Sequence, residues 1–214
     1  MLASAPVRER ESMADLRSEP EPTWEIAHLF PYQGTWSEEE YMELRPNRHL
    51  EFTDGVLVVL PMPKQSHQFL VLHLFESLEA FVKARNLGTV MFAPLRVRLW
   101  ARTYREPDVV FMRAEHDERR GEDFWEGADL VMEVVSPDEG SRERDLEKKR
   151  ADYAEGGIPE YWIVDPVEAR ITVLKLAGSA YQVHGEFGRG AQATSATLEG
   201  FAVDVSAVLD AAHR

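Results

Sequence analysis

Apolar and polar positions recur along this chain at two different periods. In SHQFLVLHLFESLEAFVKARNLG, Phe69, Leu72, Phe75, Leu78, Phe81 and Val82 fall at helical spacing. That spacing predicts a long amphipathic helix, with Gly88 as its C-terminal stop. Upstream, Ser37 followed by Glu39 and Glu40 marks a helix start, so SEEEYMELR reads as a short helix closed by Arg45 and Pro46. HLEFTDGVLVVLPMP reads as a hairpin: strand 49–53, an Asp54-Gly55 turn, strand 56–60.

Downstream the period shortens. TVMFAPLRVRLW, PDVVFMR and LVMEVV read as strands, with a charged loop over 114–127. SRERDLEKKRADYAEGG predicts a charge-rich helix ending at Gly156 and Gly157. EYWIVD, RITVLKL and AYQVH are further strands, GEFGRG is a hairpin loop, and a last strand and short helix close the chain. This order predicts an α/β (α+β) fold, a mixed sheet flanked by helices. Residues 1–22 are polar, charged and proline-bearing and read as a disordered tail, leaving 23–214 as one domain.

One residue breaks the pattern. Glu133 lies in ADLVMEVVSP, where Leu130, Val131, Met132, Val134 and Val135 describe a short buried strand. A carboxylate there costs several kcal/mol unless it is compensated, as by a metal ion. Alternation places Glu133 on the face of Val131 and Val135. Asp108 precedes the neighbouring apolar run, in EPDVVFM, so its carboxylate can approach Glu133. Two such groups repel unless one is protonated or a cation lies between them. Mg²⁺ suits all-oxygen ligands and keeps several waters, one of which can attack a phosphodiester. Asp145 and Lys149 stand four apart, which in a helix describes a surface ion pair worth a few tenths of a kcal/mol. By itself Glu51 reads as a solvated strand residue, and His67, with Gln68 at the start of the long helix, as a cap or surface group.

Composition narrows the picture. The chain has 214 residues and a net charge of −14, which counts against a broad basic surface for gripping nucleic acid and leaves only a local groove. The absence of cysteine excludes disulfides and thiolate metal sites and fits a reducing cytoplasm. No apolar run is long enough for a membrane span, and the N-terminus lacks the apolar core of a secretory signal. Phosphate-loop, GxSxG and HExxH motifs are absent, and the glycines of GEFGRG do not sit between strand and helix.

Several ordered motifs together resemble the PD-(D/E)xK nuclease superfamily, and within it the bacterial Uma-two family of restriction endonucleases. They are LEFTDGVLVVLPMP with SHQ, EPDVVFM, ADLVMEVVSP, RDLEKKRADYAEGGIPEYWIVDP and LEGFAVDV, spanning roughly residues 36–210. The resemblance implies a restriction-endonuclease-like mixed sheet and Mg²⁺-dependent hydrolysis of DNA, with Mn²⁺ expected to substitute. By position it makes Asp108 and Glu133 metal ligands, adds the backbone carbonyl of Val134, and makes Glu51 a supporting acid. The superfamily lysine falls at 135, where this chain has Val135. The resemblance moves that role to Lys149 on the following helix, with Tyr153 and Tyr161 packed around the site.

Two functional classes remain open on these residues. One is a metal-dependent DNA endonuclease, with a homodimer expected from the need to cut two strands, and with EYWIVD and RITVLKL as either interface or core. The other is a binding or accessory module on the same fold, which the acidic charge favours slightly. A structural carboxylate network would need arginine partners, for which Arg96 and Arg98 are candidates.

Overall fold

The computed structural model describes residues 33–44, 49–137, 142 and 144–213, and of residue 145 the backbone alone. The expected tail, 1–22, lies outside them.

Helix α1 (Glu38–Glu43) is started by a reciprocal capping box: Ser37 Oγ accepts from the Glu40 N–H at 3.0 Å, and the Glu40 carboxylate accepts from the Ser37 N–H at 2.7 Å. Strands β1 (Leu50–Thr53) and β2 (Val56–Val59) form the expected hairpin. Its two turn residues both have positive φ, 44° at Asp54 and 84° at Gly55, as a tight Asp-Gly hairpin turn requires. A Cβ on Gly55 would also lie 2.6 Å from the Gly34 carbonyl oxygen.

The long helix α2 (Gln65–Arg85) forms, but its buried stripe is Leu70, Val71, Leu74, Leu78 and Val82. Leu72, expected inside, is exposed. The helix ends at Asn86 and not at Gly88: Asn86 takes the left-handed cap conformation, φ 53°. Gly88 instead opens strand β3 (Gly88–Phe92).

The segment expected as one extended run breaks after Phe92. A cis Ala93–Pro94 bond follows, and β4 (Val97–Trp100) and β5 (Thr103–Arg105) join a different sheet. The chain then gives β6 (Val109–Arg113), a 3₁₀ turn (Ala114–Arg119), β7 (Trp125–Glu126) and β8 (Leu130–Val134). A π-type turn (Arg144–Lys148) leads into α3 (Lys149–Glu155) and β9 (Glu160–Asp165). β10 (Arg170–Ala177) and β11 (Ala180–Gly188) form the next hairpin. β11 runs through GEFG, so the expected hairpin loop there is largely strand. β12 (Gln192–Thr194), β13 (Ala202–Asp204) and α4 (Val205–Ala211) finish the chain.

The central sheet has six strands in the order β11-β10-β9-β8-β6-β3. β8 and β9 run parallel and every other neighbouring pair runs antiparallel, so the sheet is mixed, as expected. A parallel pair needs a crossover, and the turn with α3 supplies it. A five-stranded sheet, β2-β1-β5-β4-β7, and the β12-β13 pair complete the structure.

Both faces of the central sheet are covered. Phe111, Leu130, Met132 and Val134 pack in one core with α2 and α4, while Val110, Met112, Val131 and Val135 pack in another with α3. Two-sided burial explains why β8 and β9 read as continuous apolar runs. EYWIVD is wholly buried, and Ile171, Val173 and Leu174 of RITVLKL are inaccessible. β9 is therefore core, while β10 buries these three and keeps Arg170, Lys175 and Ala177 exposed. No helix among the described residues is long and apolar enough to cross a membrane.

Candidate active site

The pairing of β6 with β8 sets Val109 opposite Met132, so Asp108, just before β6, sits beside the C-terminal end of β8. Its Oδ2 accepts the Val134 N–H at 2.7 Å. The same oxygen lies 3.3 Å from His67 Nε2, in the first turn of α2, and that nitrogen is 3.1 Å from the Val134 carbonyl oxygen. The imidazole N–H therefore stands between the carboxylate and the carbonyl. Burial works against a charge on Asp108, but His67, Lys149 and the Val134 N–H outweigh it and hold the carboxyl below its ordinary range. Burial likewise disfavours imidazolium at His67, and Asp108, the Val134 carbonyl and Glu133 reverse this, raising its pKa.

Glu133 is on β8, pointing to the α3 face as alternation requires, and is 2% exposed. Its Oε2 lies 2.9 Å from Lys149 Nζ, and its Oε1 accepts the Tyr153 hydroxyl at 2.5 Å. Lys149 and Tyr153 are both on α3, one turn apart, so one helix face delivers both donors. Burial, then the charges of Glu133 and Glu51, push the Tyr153 pKa well up, so its proton stays in place.

Glu51, on β1, is buried and not solvated: its Oε1 is 3.5 Å from Lys149 Nζ without a hydrogen bond to any group, and its Oε2 is 3.8 Å from Arg105 Nε. Arg105, 2% exposed, also donates to Asp152 at 2.6 Å and to Thr53 Oγ1 at 2.8 Å. A row of alternating charge therefore runs Asp152, Arg105, Glu51, Lys149, Glu133 beneath the cleft. The cleft itself, about 170 Å³, is lined by Asp108, Glu133, Val134, His67 and Lys149, and by Arg144 and the His49–Glu106 pair at its side. The Asp108 side chain is the more open of the two acids, 17% exposed.

No group of three His, Asp or Glu side chains among the described residues is close enough to hold a metal ion alone. The available donors are nevertheless all oxygen: two carboxylates and the Val134 carbonyl. This set, with the unbonded Glu51 oxygen beside it, fits a hard cation that keeps waters in its remaining positions.

Residues 38–206 match the Uma2 family, described as "Putative restriction endonuclease". The chain belongs to this family. Its fold is shared with a crystal structure described as a putative nuclease belonging to DUF820 from Anabaena variabilis: TM-score 0.66, 16% identity, covering 85% of this chain and 99% of that one. No curated protein matches the chain significantly.

Against this Uma2 framework, the expected residues Asp108, Glu133, Val134, Lys149, Glu51, His67 and Tyr153 gather around one cleft. Lys149 corrects its bland reading: it is 3% exposed and faces Glu133, so it is no surface partner of Asp145. The Asp145 side chain lies outside the described residues. Residue 145 falls in the π-type turn and Lys149 in α3, so one regular helix does not join them. His67 is no mere cap, since it touches both Asp108 and Val134. Arg96 reaches the Met42 and Leu44 carbonyls and Arg98 pairs with Glu126, so neither serves the acids. Arg105 does, and no sequence pattern singles it out: all three residues of β5 are buried, which leaves no alternation to mark it.

Proposed function

We propose that the protein is a Mg²⁺-dependent endodeoxyribonuclease, hydrolysing phosphodiester bonds of DNA in the cleft between β8 and the first turn of α2. The observation that carries this is the Lys149–Glu133 contact, 2.9 Å, beside Asp108. An ammonium buried against a carboxylate, next to a second, more open carboxylate, is a costly arrangement for stability alone. It is a useful one for hydrolysis.

Asp108, Glu133 and the Val134 carbonyl would hold the cation, which when bound supplies an activated water and offsets charge on the phosphate. Lys149 orients the attacking water and stabilises the charge that develops as the P–O bond breaks. Tyr153 fixes the rotamer of Glu133, and Glu51 with Arg105 holds the amine from behind. His67 orients Asp108. The absence of cysteine is in keeping with a cytoplasmic site of action.

A second reading, a binding or accessory module with no turnover, is favoured by the net charge of −14. The two part on one experiment. In Mg²⁺ or Mn²⁺ the wild type is expected to cut DNA, and Lys149→Ala to lose on the order of 10²–10³-fold in rate while retaining its fold. If the wild type cuts no duplex, single-stranded or branched DNA with either ion, the accessory reading stands instead.

A further inference from the structure

The acidic cleft does not stand alone. On one side it shares Pro61, Pro63, His67, Val134 and Ser136 with a groove of about 450 Å³ whose other walls include Met62, Leu70 and Val167. On the other side it shares Gln68, Val71 and Phe92 with an almost wholly apolar groove of about 360 Å³, floored by Phe69, Leu72 and Phe75. The result is a trough with a charged middle and two apolar ends. Among the described residues no acid lines either end, and Lys64, Arg189 and His213 line the larger one.

Large apolar side chains line this trough without being covered. Met62 is 63% exposed, Val167 57% and Phe92 48%. The Phe92 ring is held edge-on by Phe75 at 4.9 Å, which fixes its plane and leaves a face open. A fixed aromatic face beside a reactive polar centre, with Lys64 and His213 lining the groove at the other end and Arg189 there paired to Asp210, is a surface on which unpaired nucleobases can stack. The reactive groups lie at the bottom: Glu133 and Lys149 are 2% and 3% exposed in a recess of about 170 Å³. A duplex is a stiff rod with its phosphates on a convex surface. It brings one phosphodiester to the floor of such a recess less readily than a flexible strand does. A single strand can turn its backbone inward and lay bases to either side.

We propose that the substrate is single-stranded or locally unpaired DNA, with bases flanking the scissile phosphate seated in the two apolar grooves and one of them stacked on Phe92. This rests on the nuclease reading above and specifies its substrate class.

The test is fluorescence anisotropy of a labelled oligothymidylate and of the matching duplex in millimolar Ca²⁺, followed by cleavage of both in Mn²⁺. The single strand is expected to bind at least tenfold more tightly than the duplex. Phe92→Ala is expected to weaken single-strand binding about tenfold, as loss of one stacked base does, and Met62→Ala by less. Neither should alter duplex binding, and Phe92→Trp should restore the preference. Both residues are exposed, and unchanged melting temperatures will show that the variants fold. Equal or tighter duplex binding, a stronger preference for single-stranded RNA, or indifference to Phe92→Ala overturns the proposal. Duplex cut as fast as single strand sinks it while leaving the nuclease reading intact. Phe92-dependent binding of the single strand with no cleavage does the reverse.

Discussion

The central sheet buries two glutamates on adjacent strands, and they are handled in opposite ways. Glu160, at the start of β9, is fully inaccessible and is surrounded by neutral donors: the Trp162 indole, the Ser195 and Thr197 hydroxyls, and the N–H groups of Ala196 and Thr197. It knits the 195–198 turn to the sheet. Glu133, on β8, is as buried but faces a lysine, a tyrosine and a cleft. A carboxylate saturated by neutral donors has no capacity left for a ligand. One that lines a cleft beside an ammonium can still be reached by a cation. Burial alone does not mark a functional acid; the kind of donor does.

Three measurements press on this contrast. The largest effect belongs to Glu160. Glu160→Ala leaves several buried donors unsatisfied, each costing about 1–3 kcal/mol. For a chain of this size the melting temperature should fall by about 10 °C. Activity per folded molecule should be unchanged, and a catalytic loss at full folding would erase the distinction. Next comes the metal. Millimolar Mg²⁺ or Mn²⁺ should raise the melting temperature of the wild type by about 3–6 °C, equivalent to ~1–2 kcal/mol of binding. The shift should vanish in Glu133→Ala and survive in Glu160→Gln. The absence of any metal-dependent shift in the wild type would leave Glu133 as another structural acid.

The smallest effect concerns Asp165, at the far end of β9 from Glu160. Burial raises its pKa, but the Arg142 guanidinium, at 3.0 and 2.7 Å, and the N–H groups of Val167 and Glu168 hold it below the ordinary value. A depressed folded-state pKa stabilises above the unfolded value and is lost as pH falls through the folded one. Asp165→Asn should therefore lower the melting temperature by a few degrees at neutral pH. The gap should close as the pH drops below about 4. A gap that persists at low pH would mean that the carboxylate charge contributes nothing.

The same contrast explains which features are legible in the residues alone. Glu133 stands out because a charge interrupts an apolar run, and Asp108 because it precedes the next one. Glu160 opens EYWIVD and so looks like a boundary residue, although its donors come from 162 and 195–197, unconnected to it by any pattern. Glu51 looks solvated in the sequence because the strands that bury it, β1 and β5, pair across some 50 residues of chain. Asn86 displaces Gly88 as the helix stop because a left-handed cap accepts either residue type. Lys149 reads as a surface charge only if four-residue spacing means one regular helix, which here it does not. The strands and their mixed pairing are legible because two-sided burial writes itself as unbroken apolar runs, and the split of 88–100 between two sheets is not.

The widened turn at 144–148 carries a further consequence. Each residue of an α-helix advances the direction of its side chain by about 100°. A π-type turn holds one residue more than an α turn and so resets the phase of the helix after it. Here the reset occurs immediately before Lys149, and it decides that the amine looks inward. Deleting a single position from this turn would rotate the amine away from β8 by more than a quarter of a revolution, so the alignment of the cleft is tuned by segment length as much as by the side chains that line it.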